Sequence, residues 1–144
     1  MTRVDFAFGA RDRLVQAAQT TVRQVSKGAR VFVYASDPAR LKAYGQLLWT
    51  HDDTSFVPHE ALGPSLDDHV PVYLVSEATW PLLHPAIRDT DWLINLNDDC
   101  PPDIQLLTRV LEIVSQDTVD IEQARARWRQ YQTLGAQLQA HKLS

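Results

Sequence analysis

The chain predicts an α/β fold, a sheet with helices on both faces. Short apolar runs alternate along it with stretches of helical periodicity. One of those runs, Val31-Phe-Val-Tyr34, is apolar throughout, as a central strand covered on both faces must be. At 144 residues the chain is long enough to bury a core without metals or disulfides, and the expectation is one domain, residues 1–144.

The elements follow in order. Val4-Asp-Phe-Ala-Phe8 alternates apolar with polar or small residues and predicts a first strand. From Asp12 to about Ser26, Leu14, Ala17, Ala18, Val22 and Val25 form a helical stripe, which Lys27-Gly28 ends with a glycine suited to a left-handed cap. After the Val31–Tyr34 strand, Asp37-Pro38 supplies an N-cap and a first-turn proline, predicting a helix to about Trp49 that buries Leu41, Tyr44, Leu47 and Leu48. His51 to His69 reads as loop, with Phe56-Val57 its short apolar run. Val70–Val75 and Asp91–Leu96 read as strands, separated by Thr79–Pro85, whose two prolines predict irregular backbone. Asp98-Asp-Cys-Pro-Pro102 breaks the chain again. Ile104 to about Thr108 is a helical turn, Leu111-Glu-Ile-Val114 a strand, and the last helix is expected from about Val119 to Ala140.

Composition bounds the function. The 44% hydrophobic and 22% charged residues are ordinary for a globular protein. Cys100 stands alone, which excludes an intrachain disulfide and a cysteine metal cluster and fits a reducing cytoplasm. Met1-Thr-Arg-Val-Asp-Phe6 has no signal-peptide pattern, and no run approaches the ~20 apolar residues that span a bilayer, so a cytoplasmic protein without a membrane partner is expected. Fourteen basic against eighteen acidic residues leave a formal charge of −4, whereas proteins that live on nucleic acid usually carry a basic surplus. The charge is uneven, since Arg125, Arg127 and Arg129 crowd one turn near the C-terminus.

Signals for catalysis are weak. Gly9 follows the first strand, but the five glycines are scattered singly and form neither a dinucleotide fingerprint nor a phosphate-cradling loop. A degenerate nucleotide-binding enzyme would have to use Gly9 with Asp5 or Asp37 as polar anchors. There is no Gly-x-Ser-x-Gly elbow. A metal site at His51, Asp53 and His59 lacks the tight spacing of zinc ligands, and the pairs Asp52-Asp53, Asp67-Asp68 and Asp98-Asp99 read as turn formers. No catalytic residue, metal ligand or cofactor is therefore assigned.

Ala124-Arg-Ala-Arg-Trp-Arg-Gln-Tyr131 is the most informative stretch. On a helix, Arg125, Trp128, Arg129 and Gln132 share one side, a face suited to a ligand carrying an apolar group and a carboxylate. Ile121, Ala124, Trp128, Tyr131 and Leu138 also mark a buried stripe, with the arginines as its solvated flank. The two readings meet if Trp128 lies half covered at the edge of the stripe. A third possibility is a single-strand DNA binder that stacks bases on Trp128.

Arg30-Val-Phe-Val-Tyr34, Leu48-Trp49, Ser55-Phe-Val-Pro-His59, and Ala124–Tyr131 with Gly135 follow one another in an order and spacing that resemble the chi subunit of bacterial DNA polymerase III. The similarity runs over nearly the whole chain. It implies a Rossmann-like, nucleotide-binding-like fold without a nucleotide site and without an active site, in a subunit of the clamp-loader assembly at the bacterial replisome. It implies two partner surfaces. Arg125, Trp128 and Arg129 would receive the acidic C-terminal tail of single-stranded DNA-binding protein, which ends in an aromatic residue with a free carboxylate. Trp49, Phe56, Val57 and Pro58 would bind the psi subunit, a surface that a repair-type helicase uses in some bacteria. DNA would be contacted only indirectly. The sequence departs from the family pattern at Ile121, where better-known members carry lysine, leaving the tail one fewer positive partner.

Overall fold

A computed structural model describes residues 1–50 and 57–143. Its seven strands are β1 (Arg3–Ala10), β2 (Val31–Tyr34), β3 (His59–Ala61), β4 (Val72–Val75), β5 (Trp92–Asn95), β6 (Arg109–Ser115) and β7 (Gln137–Lys142). They form one sheet in the order β3-β4-β2-β5-β6-β1-β7. Every neighbouring pair is parallel. Parallel neighbours need crossover connections, which α1 (Arg13–Ser26), α2 (Pro38–Thr50), the single turn α3 (Leu83–Ala86) and α4 (Thr118–Thr133) help supply.

Strand alternation sorts the core into two layers. Val31 and Val33 of β2 point to one face, where they meet Ala17, Ala18, Leu41, Tyr44 and Leu48 of α1 and α2. Phe32 and Tyr34 point to the other, which they share with Phe6, Leu83, and Ala124 and Tyr131 of α4. All four residues of β2 are buried, as its unbroken apolar run predicts. The helix starts are set locally. Asp12 accepts from the Val15 amide at 3.0 Å to cap α1, and Asp117 accepts from the Val119 and Asp120 amides at 2.9 and 3.3 Å to cap α4.

Three elements differ from the sequence expectation. The last helix stops at Thr133 rather than Ala140, because Gly135 takes φ +81 and turns the chain. Residues 137–142 then pair with β1 as strand β7, which puts Leu138 opposite Val4 and not on a helical stripe. Three residues of the expected loop, His59–Ala61, form β3 beside β4. Between Thr79 and Pro85 the backbone makes a 3-10 turn, Trp80–Leu82, and then enters α3, with Pro81 in the first turn where a missing amide is harmless.

Candidate functional site

The alternation of β1 places Phe6 and Phe8 on the α4 side of the sheet, and α4 lays Ile121, Ala124, Arg125 and Trp128 over them. Between helix and strand lies a cleft of about 420 Å³. Its floor is Phe6, Phe8 and Val114, its helix wall carries Ile121, Ala124 and Trp128, and Ala140 of β7 borders it. Trp128 is half-buried and meets Phe6 edge-on, with ring centroids 5.1 Å apart. Phe6 touches Tyr131 in the same manner at 5.9 Å, so the aromatic wall is braced from below. Arg125 is exposed at the lip and brings a cation to an otherwise largely apolar cavity. Arg129, also exposed, lies one turn farther along α4 and is not part of the lining. Phe8 is 40% exposed, unusual for so large an apolar ring.

Arg127 was expected with the other two arginines on the solvated flank. It is instead only 1% exposed. Its Nε donates to Glu112 Oε1 at 3.0 Å and its Nη1 to the Asp98 carbonyl at 3.0 Å. Glu112, itself fully buried, also accepts from Tyr131 at 2.6 Å and from Asn95 Nδ2 at 2.8 Å. Burial, and then the Glu112 charge, push the Tyr131 phenol far above its usual range, so its hydroxyl stays a donor. This network pins α4 to β5 and β6, and so fixes how Arg125 and Trp128 stand over the cleft. Helical spacing could have revealed it: Arg127 sits four residues before Tyr131 and three after Ala124, on the inward stripe. The side chains of β1 were legible too, since Phe6 and Phe8 alternate within the predicted strand. Ala140 was not, because its strand was read as helix.

In sheets of this kind, ligands usually bind at the carboxyl ends of the strands where the crossovers diverge. Here that crevice lies beside Arg11, Arg13, Arg40, Asp98, Asp117 and Asp120. Arg13 spans it, donating from Nε to the Ile113 carbonyl at 2.9 Å and from Nη2 to the Asn95 and Asn97 carbonyls at 3.1 and 2.9 Å. Burial, and then the nearby Arg127 charge, lower the Arg13 pKa against the opposing pull of Glu112 and Asp120. Arg40 donates to Asp98 at 3.0 Å, and the first-turn amides of α1 and α4 are held by Asp12 and Asp117. Apart from the exposed Arg11, the groups that would greet a phosphate are thus engaged with the chain itself. Neither candidate nucleotide anchor faces this crevice: Asp5 pairs with Arg3 at 3.1 Å, and Asp37 accepts from the Ala39 amide at 3.0 Å. Gly9 takes φ +91 at a register shift between β1 and β6, and its carbonyl accepts from Gln116 at 3.1 Å.

The second set of sequence-assigned residues lies at the opposite edge of the sheet. Trp49, near the end of α2, is 61% exposed and meets the His59 ring of β3 edge-on at 6.1 Å. Val57 is 6% exposed and belongs to the α1–α2 core, while Pro58 is half-buried. Phe56 lies outside the described residues, as do His51 and Asp53 of the weighed metal site. Among the described residues, no group of three or more His, Cys, Asp or Glu is placed to hold a metal ion. Nor is any described helix long and apolar enough to cross a membrane. Burial pushes the half-buried Cys100 thiol up to about 11, away from the range of reactive cysteines.

A curated relative from Pseudomonas aeruginosa, DNA polymerase III subunit chi, is 29% identical over 147 residues, covering 99% of this chain and 98% of that protein. A protein of the same name from Haemophilus influenzae is 28% identical over 108 residues, covering 75% of this chain and 72% of its own length. The family described as DNA polymerase III chi subunit, HolC, matches residues 1–139, so the chain belongs to the DNA polymerase III chi subunit family.

Proposed function

We propose that this chain is a non-catalytic subunit of DNA polymerase III that bridges the clamp loader to single-stranded DNA-binding protein. One surface grips the acidic C-terminal tail of the coat protein. The other, at Trp49, Phe56 and Pro58, with the buried Val57 anchoring it to the core, binds the psi subunit, or a repair-type helicase in its place. The observation that carries the reading is the aromatic cleft with Arg125 at its lip. A chain end with an aromatic side chain and a free carboxylate has two needs. The ring needs desolvated apolar walls, which Phe6, Phe8 and Trp128 offer, and the carboxylate needs a forked cation, which Arg125 offers. Arg129, outside the lining, is positioned to attract acidic residues farther up the tail by charge alone.

Geometry also favours two partners bound together. Trp49 approaches β3 and the cleft adjoins β1, which is five strand spacings away in the order of the sheet. At ~4.8 Å per spacing the two surfaces stand about 25 Å apart, and they belong to opposite faces. A negative net charge suits this role, since the chain touches the DNA only through its coat. Each tail contact can be weak, because a coated strand presents many tails at high effective concentration.

The test is a titration with intact single-stranded DNA-binding protein, run beside a truncated form lacking the terminal aromatic residue and beside a bare oligonucleotide. Binding to the intact protein alone, weakening as salt rises, is expected. Equal binding to the bare oligonucleotide would replace the reading with direct DNA stacking on Trp128.

A further inference from the structure

A tail seated in the cleft must also place its main chain somewhere, and the sheet offers an open edge beside the cleft. Among the described residues β7 is the last strand in the order and pairs only with β1. The Gln137 amide donates to the Thr2 carbonyl at 2.8 Å and the Leu143 amide to the Phe8 carbonyl at 2.9 Å. The odd-numbered residues of β7 therefore turn their backbone groups toward β1. By strand alternation, Leu138, Ala140 and Lys142 turn their N–H and C=O groups to the open side. Ala140 also borders the cleft, and its small side chain leaves the cleft open toward that edge. We propose that the acidic tail which ends in the cleft adds its main chain to the free edge of β7 as an eighth strand, pairing with Leu138, Ala140 and Lys142. This rests on the tail-docking reading above and deepens it.

The edge is built to accept a strand of one sign. Native edges are usually blunted by proline, a bulge or charge. Gln137–Lys142 contains no proline and no acidic residue, and its register with β1 runs without a shift. The one fixed charge on β7 is positive: Lys142, exposed and opposite Phe8 in the register, on the same face as the cleft. It supplies a second cation near the mouth, which Ile121 on the helix wall does not. With Arg125 and Arg129 across the cleft, it makes the approach favourable to acidic residues and repellent to a basic strand.

NMR-resolved amide exchange tests this on the full chain, with and without a synthetic acidic peptide that ends in phenylalanine with a free carboxylate. The expected result is slowed exchange at Leu138, Ala140 and Lys142, with Gln139 and His141 unaltered because they already face β1. Peptides N-methylated at alternate positions provide a second readout: one alternation should weaken binding about fivefold for each bond lost, and the other should not. If the peptide shifts Arg125 and Trp128 resonances while the three outward amides exchange as before, docking stands and the eighth strand is refuted. No shift at either place removes both readings. Protection that grows with protein concentration and needs no peptide assigns the edge to a second copy and overturns the proposal.

Discussion

Replacing Glu112 by Gln should be among the most damaging single changes available, although it alters almost no volume. Four donors converge on the Glu112 carboxylate or stand near it: Arg127 Nε at 3.0 Å, Tyr131 at 2.6 Å, Asn95 Nδ2 at 2.8 Å and Arg13 Nη2 at 3.6 Å. An amide keeps one acceptor oxygen and turns an NH2 group against two of these donors. It also leaves Arg127, 1% exposed, with the Asp98 carbonyl and no buried counter-charge, while Arg127 Nη2 already has no partner among the described residues. Breaking a buried pair from one side costs roughly 3–5 kcal/mol, and the added donor clash puts Glu112→Gln in the upper part of that range. Arg127→Met should cost less, about 2–3 kcal/mol, because the carboxylate keeps Asn95, Tyr131 and the nearby Arg13. Urea unfolding followed by far-UV circular dichroism, extrapolated linearly to water, measures both. A loss below ~1 kcal/mol for Glu112→Gln, or a larger loss for Arg127→Met than for Glu112→Gln, would show that the network does not hold α4 as described.

Other outcomes follow from particular residues. Tyr131 and Tyr44 both carry phenols whose pKa values burial raises well above the unfolded value of ~10. Their stabilising contribution is complete below that value and is lost as pH rises above it, because only the unfolded chain then releases the proton. Unfolding free energy should fall by up to ~1.4 kcal/mol per pH unit per phenol above pH ~10, and the slope should be shallower in Tyr131→Phe. Leu48→Ala, at a side chain with no exposed area, should cost about 2–5 kcal/mol. Its neighbour Trp49→Ala should cost less than ~1 kcal/mol while weakening the proposed psi or helicase contact, as measured by unfolding and by binding to the partner. Gly135→Ala, at φ +81, should destabilise by about 1 kcal/mol, seen as a lower urea midpoint at unchanged slope.

Elements whose signal is local were legible in the sequence. Asp12 and Gly28 bracket α1, Asp37-Pro38 opens α2, and the apolar run of β2 needs no tertiary knowledge. β7 was hidden because Gln137–Lys142 carries a single large apolar residue, and only its pairing with β1 makes it a strand. β3 was hidden by its three-residue length. In the cleft, Arg125 and Trp128 were read from helical spacing. The burial of Arg127 is not legible locally, because charge ordinarily marks exposure, whereas Glu112, 15 residues earlier on the preceding strand, supplies the partner that makes burial tolerable. Phe6 and Phe8 were seen as strand residues, but nothing in a linear reading showed that α4 would cross above them.

The most direct measurement is a crystal structure of the chain bound to the C-terminal tail peptide of its own single-stranded DNA-binding protein. Tail docking in the cleft puts the terminal ring between Phe6, Phe8 and Trp128 and the terminal carboxylate on Arg125. A peptide found elsewhere on the molecule, with this cleft closed or vacant, would contradict it.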